Sequence, residues 1–423
     1  MVYAILVVGL ILGVPVAFSI IAALNYFMMT GDFPYHLRIV ATQMFGGMKS
    51  YPLLAIPLFI LAGDLMNASG ITRRIIAFTN MLVGRFRAGL ALVNIWASVI
   101  FAGLSGSAVA DTSAIGRVFI PEMEKRGYPR DFSAAITAAS SVIGPIIPPS
   151  IPVIIYALIV TGVSVPAMFL GGVIPGVLLA IFLSVYVITF AGHYDKVGSL
   201  SPGESPAKVL GQGIIPLLMP IFVVGSILMG IVTPTEAASF AVAYALIVGV
   251  FLFKEIKLKD LPRIFGQSMR DSSVIMVVMA AVSAGNWLLT YNRVPNIITD
   301  FAMVYMTAKW MFLVSSMVLF LFVGLFLEGI AAMLVLVPIL HPIAVSMGVD
   351  PTHFGIIVVF NLMIGLITPP MGLCLFVADS VANVGLGKLT RQIIPLFLVE
   401  LLVLIIITFF PVTVTGLPRF LGF

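Results

Sequence analysis

The sequence predicts an all-α polytopic membrane protein, and three observations predict it. The 423 residues are 61% hydrophobic and only 9% charged, with a mean hydropathy of +1.19; soluble proteins carry about 25% charged residues. The apolar residues form continuous runs, where a membrane-spanning barrel would alternate apolar and polar positions. Lys and Arg gather in short stretches at 73–74, 85–87, 125–126 and 254–259, as they do in cytoplasmic loops that orient membrane helices. This balance excludes a water-exposed enzyme. It also excludes disorder, which needs charge to solvate an extended chain. The net charge of +5 orients the chain in a lipid bilayer and calls for no nucleic acid.

At about 20 apolar residues per crossing, the length allows roughly ten to twelve membrane segments. The run at 1–29 lacks a basic flank and a cleavage site, so it reads as a retained first helix rather than a signal peptide. Apolar segments follow at 52–67, 89–106, 107–121, 132–144, 148–162 and 166–192. The linker 193–213, with Ser199, Pro202, Gly203 and Pro206, is the most polar connection. A second series runs at 214–232, 236–253, 272–291, 308–327, 329–347, 354–367, 370–384 and 392–410. Residues 30–51 and 255–267 carry charges at helical spacing and read as interfacial amphipathic helices. The one cysteine, Cys374, sits in an apolar stretch and reads as a structural thiol.

Four of these segments are broken. Residues 104–108 and 144–149 interrupt the first series, 326–329 and 365–370 the second. Paired prolines unwind a helix, and hydrocarbon tolerates that only where protein or a watery cavity satisfies the freed backbone. The breaks correspond. Sliding the chain by 221 positions aligns 101–157 with 322–378 without a gap and with 13 identities, among them Gly103/Gly324, Pro121/Pro342, Gly144/Gly365 and Pro148–Pro149/Pro369–Pro370. Glycines and prolines at fixed spacing dictate backbone shape, so this is a structural repeat. Connector 122–131 holds Lys125, Arg126 and Arg130, whereas 343–352 holds no Lys or Arg. The positive-inside rule then inverts the repeat, with Lys125 and Asp350 on opposite faces.

Inverted repeats with broken helices are the plan of secondary transporters, whose ion and substrate sites lie at the repeat interface. Each half would supply a re-entrant helical hairpin whose tip meets an unwound helix. Sodium asks for five or six oxygens, mostly carbonyls. The Ser105 hydroxyl, the backbone near Ala108 and at Gly144–Ile147, and Ser140 or Ser141 supply them in the first half. The repeat carries Ala108, Gly144 and Ile147 onto Gly329, Gly365 and Thr368 as a second cation site. Pro149, Gly324 and Met371, from the same breaks, complete the candidate sodium set. Ser107, Asp111, Thr112, Glu328 and Asn361 are the candidates for substrate binding or gating, because buried ionisable and polar groups beside such breaks mark a pathway. Asp64 and Glu236 are expected to brace scaffold helices, His341 and His353 to be structural, and Glu400 to face lipid or another subunit. No zinc helix, phosphate loop or nucleophile elbow is present in the sequence. It therefore reads as no enzyme and needs no cofactor beyond a coupling ion.

Four stretches resemble the large membrane (M) subunit of TRAP transporters, the tripartite ATP-independent periplasmic transporters: residues 56–63 (IPLFILAG), 103–111 (GLSGSAVAD), 147–150 (IPPS) and 230–238 (GIVTPTEAA). The resemblance covers essentially the whole chain. It implies a sodium-coupled, binding-protein-dependent importer of a small organic acid, of the sialic acid or C4-dicarboxylate class, in the bacterial inner membrane. It implies a periplasmic substrate-binding protein and a small four-helix (Q) subunit as partners, and an elevator-type fold in which a scaffold holds a transport domain. On that reading residues 1–88 and 214–307 are scaffold and 89–192 and 308–384 hold the transport elements. Residues 193–213 are then the linker and 385–423 the C-terminal helix and tail. A self-sufficient sodium:divalent-anion symporter is the alternative, and an ion channel a remote one.

Overall fold

The computed structural model describes residues 5, 8, 9, 12, 14–30, 36–194, 206–306, 308–325, 327–369 and 372–423. Among these residues the chain is helical, with no strand. The first half runs α1 (Val16–Thr30), α2 (His36–Met48), α3 (Ala55–Ala68), α4 (Ile71–Val83), α5 (Gly89–Ser105), α6 (Ala108–Lys125), α7 (Arg130–Ser141), α8 (Ile151–Ile159) and α9 (Val165–Tyr186). The second runs α10 (Pro206–Leu228), α11 (Pro234–Leu246), α12 (Leu261–Tyr291), α13 (Val294–Tyr305), α14 (Lys309–Gly324), α15 (Gly329–Ser346), α16 (Pro351–Gly365), α17 (Leu373–Ala382), α18 (Leu386–Phe409) and α19 (Val412–Phe420).

Seven helical stretches among the described residues are long and apolar enough to cross a membrane: 51–68, 165–191, 209–228, 234–252, 258–291, 329–346 and 386–409. This is fewer than the ten to twelve that length allows. The apolar helices α5, α14, α16 and α17 are cut short by tips and proline breaks, so none alone makes the ~20-residue span. Of these, α5 and α16 are covered by protein instead, whereas α14 leaves Trp310, Val318 and Phe322 exposed. From Phe132 to Ser141 every residue of α7 is buried, as is every residue of α16 from His353 to Gly365. The core therefore centres on the two interrupted helices. α6 and α5 pack on α7, α14 and α15 pack on α16, and α18 packs on both.

Three sequence expectations change. Residues 255–267 form no separate interfacial helix: a 3₁₀ turn at Leu258–Asp260 leads straight into the 31-residue α12. Arg73 and Arg74 lie in no connector but inside α4, whose Ile71, Ile75, Phe78 and Thr79 bury one face. That spacing is the inward stripe of a surface helix, and the polar residues between hide it from a hydropathy reading. Arg74 earns its place by donating to the Gly70 carbonyl at 3.0 Å and by stacking 3.8 Å over the Phe253 ring. The short helices α13 and α19 were likewise not expected.

Helix starts follow capping chemistry. Thr233 and Glu236 close a capping box at α11 ahead of Pro234, satisfying donors that a helix start leaves free. Asp64 accepts a hydrogen bond from the Ser268 hydroxyl and ties α3 to α12. Both carboxylates brace the framework, as expected.

Candidate functional site: two hairpin tips against two interrupted helices

The first tip turns on three residues. α5 ends at Ser105, Gly106 takes a left-handed φ of 60°, and extended Ser107 caps α6 with its hydroxyl 3.4 Å from the Ala110 N–H. Only glycine fits comfortably at position 106, because a Cβ there would also stand 3.3 Å from the Pro149 carbonyl. Ser107 N–H donates to Ser105 Oγ at 3.2 Å, and Thr112 Oγ1 donates to the Ala108 carbonyl at 2.8 Å.

Asp111, in the first turn of α6, is fully buried. One carboxylate oxygen accepts from the Ser105 hydroxyl, and the other has no partner among the described residues. That second oxygen lies where a Cβ on Gly144 would sit. The bare backbone of Gly144, just past the end of α7, is what admits the carboxylate. The Asp111 carboxylate thus bridges Ser105 and the Gly144 backbone, while the Ala108 carbonyl is taken by Thr112; a buried carboxylate oxygen is an acceptor that could serve a cation. The Pro148–Pro149 peptide is cis, and the Pro149 carbonyl faces Gly106. Ile147 sets its side chain over Gly176 of α9.

The remaining hydroxyls turn away. Ser141 Oγ donates to the Thr137 carbonyl at 2.7 Å. Ser140 Oγ donates to Asn94 Oδ1 at 3.2 Å and accepts from Ser98 at 3.0 Å, while Asn94 Nδ2 donates to Thr137 Oγ1 at 2.7 Å. This buried network ties the first hairpin arm to α7. Sequence reasoning missed Asn94, Ser98 and Thr137, although two polar residues four apart in an otherwise apolar α5 were a usable signal.

The second tip has the same plan with different side chains. α6 and α15 start and end 221 residues apart, and α7 and α16 start at that offset. Glu328 caps α15, its carboxylate accepting from the Ala331 N–H at 3.1 Å, and it is exposed. Gly329 packs on Leu362 and Met363. A Cβ on Gly365 would meet the Gly324 Cα at 3.0 Å, so arm and interrupted helix touch backbone to backbone. Buried Asn361 donates to the Met317 carbonyl at 3.1 Å and keeps an unpartnered Oδ1. Thr368 Oγ1 donates to the Ile364 carbonyl at 2.8 Å. Met371, with Pro370 and Phe326, lies outside the described residues.

Glu400 departs from expectation. It faces neither lipid nor a partner but is fully buried inside the chain, both oxygens without a hydrogen-bond partner among the described residues, because α18 packs between α7, α9 and α16. Cys374 is buried in α17 near Thr112 and Glu400. His353 shares a 2.8 Å hydrogen bond with the Ile407 carbonyl, and His341 meets Tyr156 at 3.2 Å. An apolar cleft of about 280 Å³ lies between α1 and α12, away from the tips.

Among the described residues the chain is helical, with seven stretches able to cross a membrane and its two best-buried helices ending at proline breaks, which is the plan of membrane transport proteins. The chain belongs to the family of the tripartite ATP-independent periplasmic transporter, DctM component, whose profile matches residues 3–413. It is 38% identical to the sialic acid TRAP transporter large permease protein SiaM of Vibrio cholerae, over 97% of this chain and 96% of that one. It is 36% identical to the C4-dicarboxylate TRAP transporter large permease protein DctM of Pseudomonas aeruginosa, over 92% and 91%. The YdaH transporter of Alcanivorax borkumensis shares the fold, with a TM-score of 0.62 at 15% identity over 89% of each chain.

Proposed function

We propose that this large permease imports a small organic acid by sodium-coupled alternating access, the two tips and interrupted helices moving as a transport domain against a scaffold. The observation that carries this is Asp111. A buried carboxylate oxygen without a protein partner is costly to leave so, and a sodium ion held by it, the Ser105 hydroxyl and nearby carbonyls would satisfy it. The repeat carries the first position onto Gly329, Gly365 and Thr368, the second cation position on this reading. Ser107, Thr112, Glu328 and Asn361 lie at or beside the tips and are the polar groups from which a substrate site would be built. The substrate carboxylate then sits at a helix N-terminus, where N–H groups and the helix dipole favour an anion.

The partners follow from the tripartite family. A periplasmic binding protein delivers substrate, and a small Q-type subunit completes the complex in the inner membrane of a bacterium. A self-sufficient symporter of similar architecture would need neither. Uptake into proteoliposomes of sialic acid and of C4-dicarboxylates, with and without a binding protein and an inward sodium gradient, tests the reading. Accumulation that requires both sodium and the binding protein is expected. Uptake indifferent to sodium would overturn the coupling, and uptake without any binding protein would favour the symporter.

A further inference from the structure

The cleft of about 280 Å³ between α1 and α12 takes no part in the tips. Leu24 and Phe27 of α1, Val282 and Leu289 of α12 and Val335 of α15 make its walls apolar, and Asn286 and Asn292 are its polar residues. It opens outward and is not a sealed cavity. Lys254, Lys257 and Lys259 lie just before α12, so the positive-inside rule puts that end on the cytoplasmic side and Tyr291 at the opposite interface. Trp287 and the exposed Tyr291, stacked with ring centroids 5.7 Å apart, mark that interface, since amphipathic rings settle at headgroup level. From Val282 to Asn292 the helix rises about 15 Å at ~1.5 Å per residue, which is half of the ~30 Å hydrocarbon core. The cleft therefore has the depth of one leaflet. Arg293 stands at its interfacial end. It sits between Asn292 and Val294, which both line the cleft, it is exposed, and it makes no ion pair among the described residues.

We infer that this cleft holds one acyl chain of a phospholipid from the leaflet on the Tyr291 side, with its phosphate against Arg293. The inference concerns a second ligand and is independent of the solute carried. The tail covers Leu24, Phe27, Leu289 and Val335, and the guanidinium takes phosphate oxygens through paired N–H bonds. Asn292 gives one amide N–H to the Leu288 carbonyl at 2.9 Å and has a second for an ester carbonyl. A membrane helix from another subunit fits less well. It would need a groove along a whole span of ~20 residues, whereas this one stops at Val282, and an apolar helix brings no anion to Arg293. The tail lies where α1 and α12, expected to be scaffold, meet α15, the second helix of the second tip. It occupies the joint between the two parts.

Native mass spectrometry of the full-length chain, delipidated in detergent and titrated with phosphatidylglycerol, reads this directly. One tightly held phosphatidylglycerol per chain is expected. Leu289→Trp, which fills the cleft, should weaken it at least about tenfold, and Arg293→Gln about fivefold. Ile221→Trp, on the exposed face of α10, should leave it at wild-type affinity. Arg293 is exposed, so its replacement keeps the test decisive even where Leu289→Trp fails to fold. Inorganic phosphate, which has no tail, should not compete. No bound lipid in the wild type, wild-type affinity in Leu289→Trp or in Arg293→Gln, or competition by phosphate alone overturns the inference. If the chain co-purified with a second membrane subunit no longer accepts phosphatidylglycerol, the cleft is a subunit interface and the lipid inference falls.

Discussion

Two residues carry opposite consequences of burial. Asp111 keeps one oxygen satisfied by Ser105 and the other tight against the bare Gly144 backbone. Gly144→Ala would drive a methyl group into that oxygen, and overpacking at a tight site costs about 1–3 kcal/mol. The expected outcome is a protein that still inserts and folds but loses sodium activation of uptake, measured as the sodium dependence of the initial rate. Glu400 is the converse. Its carboxyl sits in the core without a hydrogen bond from any described residue, and a buried polar group left unpaired costs about 1–3 kcal/mol. Glu400→Met, similar in length and apolar, should therefore raise the thermal midpoint of unfolding in detergent. A lowered midpoint would mean that Glu400 has a partner, such as a bound ion, that this chain alone does not supply.

At the level of elements, the interrupted helices decide the behaviour. The first arm is tied to α7 through the Asn94–Thr137–Ser140–Ser98 network, whereas the second meets α16 through one Asn361 bond and the Gly324–Gly365 backbone contact. Asn94→Leu removes the hub and leaves Thr137 and Ser140 with lost partners, so about 1–3 kcal/mol of stability should disappear, read by thermal unfolding. Ser105→Ala strips Asp111 of its one hydrogen-bond donor among the described residues, and Thr368→Val removes a hydroxyl beside the second break. Each should weaken sodium activation, and unchanged activation in both would remove the cation assignment. Much of this arrangement was legible beforehand. The breaks at 144–149 and 365–370 announce themselves because proline and glycine fix backbone shape whatever surrounds them. The side-chain directions were not legible. Ser140 and Ser141 sit in the right segment, yet helix rotation aims one at Asn94 and the other at the Thr137 carbonyl. α4 was hidden for a related reason: its burial lies in a periodic stripe, and Arg73 and Arg74 mask that stripe in any average.

Over the whole molecule, the arrangement stands or falls on orientation. α6 and α15 correspond at a constant offset in their bounds, but matching bounds say nothing about which way each helix crosses. The charge pattern is what argues for a direction: Lys125 ends α6 and Arg126 and Arg130 follow it, while 343–352 carries no Lys or Arg. An inverted repeat puts these two connectors on opposite faces of the membrane, and a parallel repeat puts them on the same face. Alternating access by a pseudo-symmetric pair needs the former, because each half must be able to play the role of the other as the site changes side. Lys125 is exposed, so Lys125→Cys reports one face cleanly. Asp350 is a poorer reporter of the other, since it caps α16 through the Thr352 and His353 N–H groups at 2.9 and 3.1 Å and pairs with Arg419. Ser346→Cys, exposed in the same connector, reads that face without uncapping the helix. Cys374 is the sole native cysteine and is buried, so it leaves the background low. A membrane-impermeant maleimide applied to right-side-out vesicles should label the position at 346 and spare the one at 125, and inverted vesicles should reverse the pattern. Labelling of both from one side would leave two tips that cannot exchange roles, and with that the reason for reading them as one transport site.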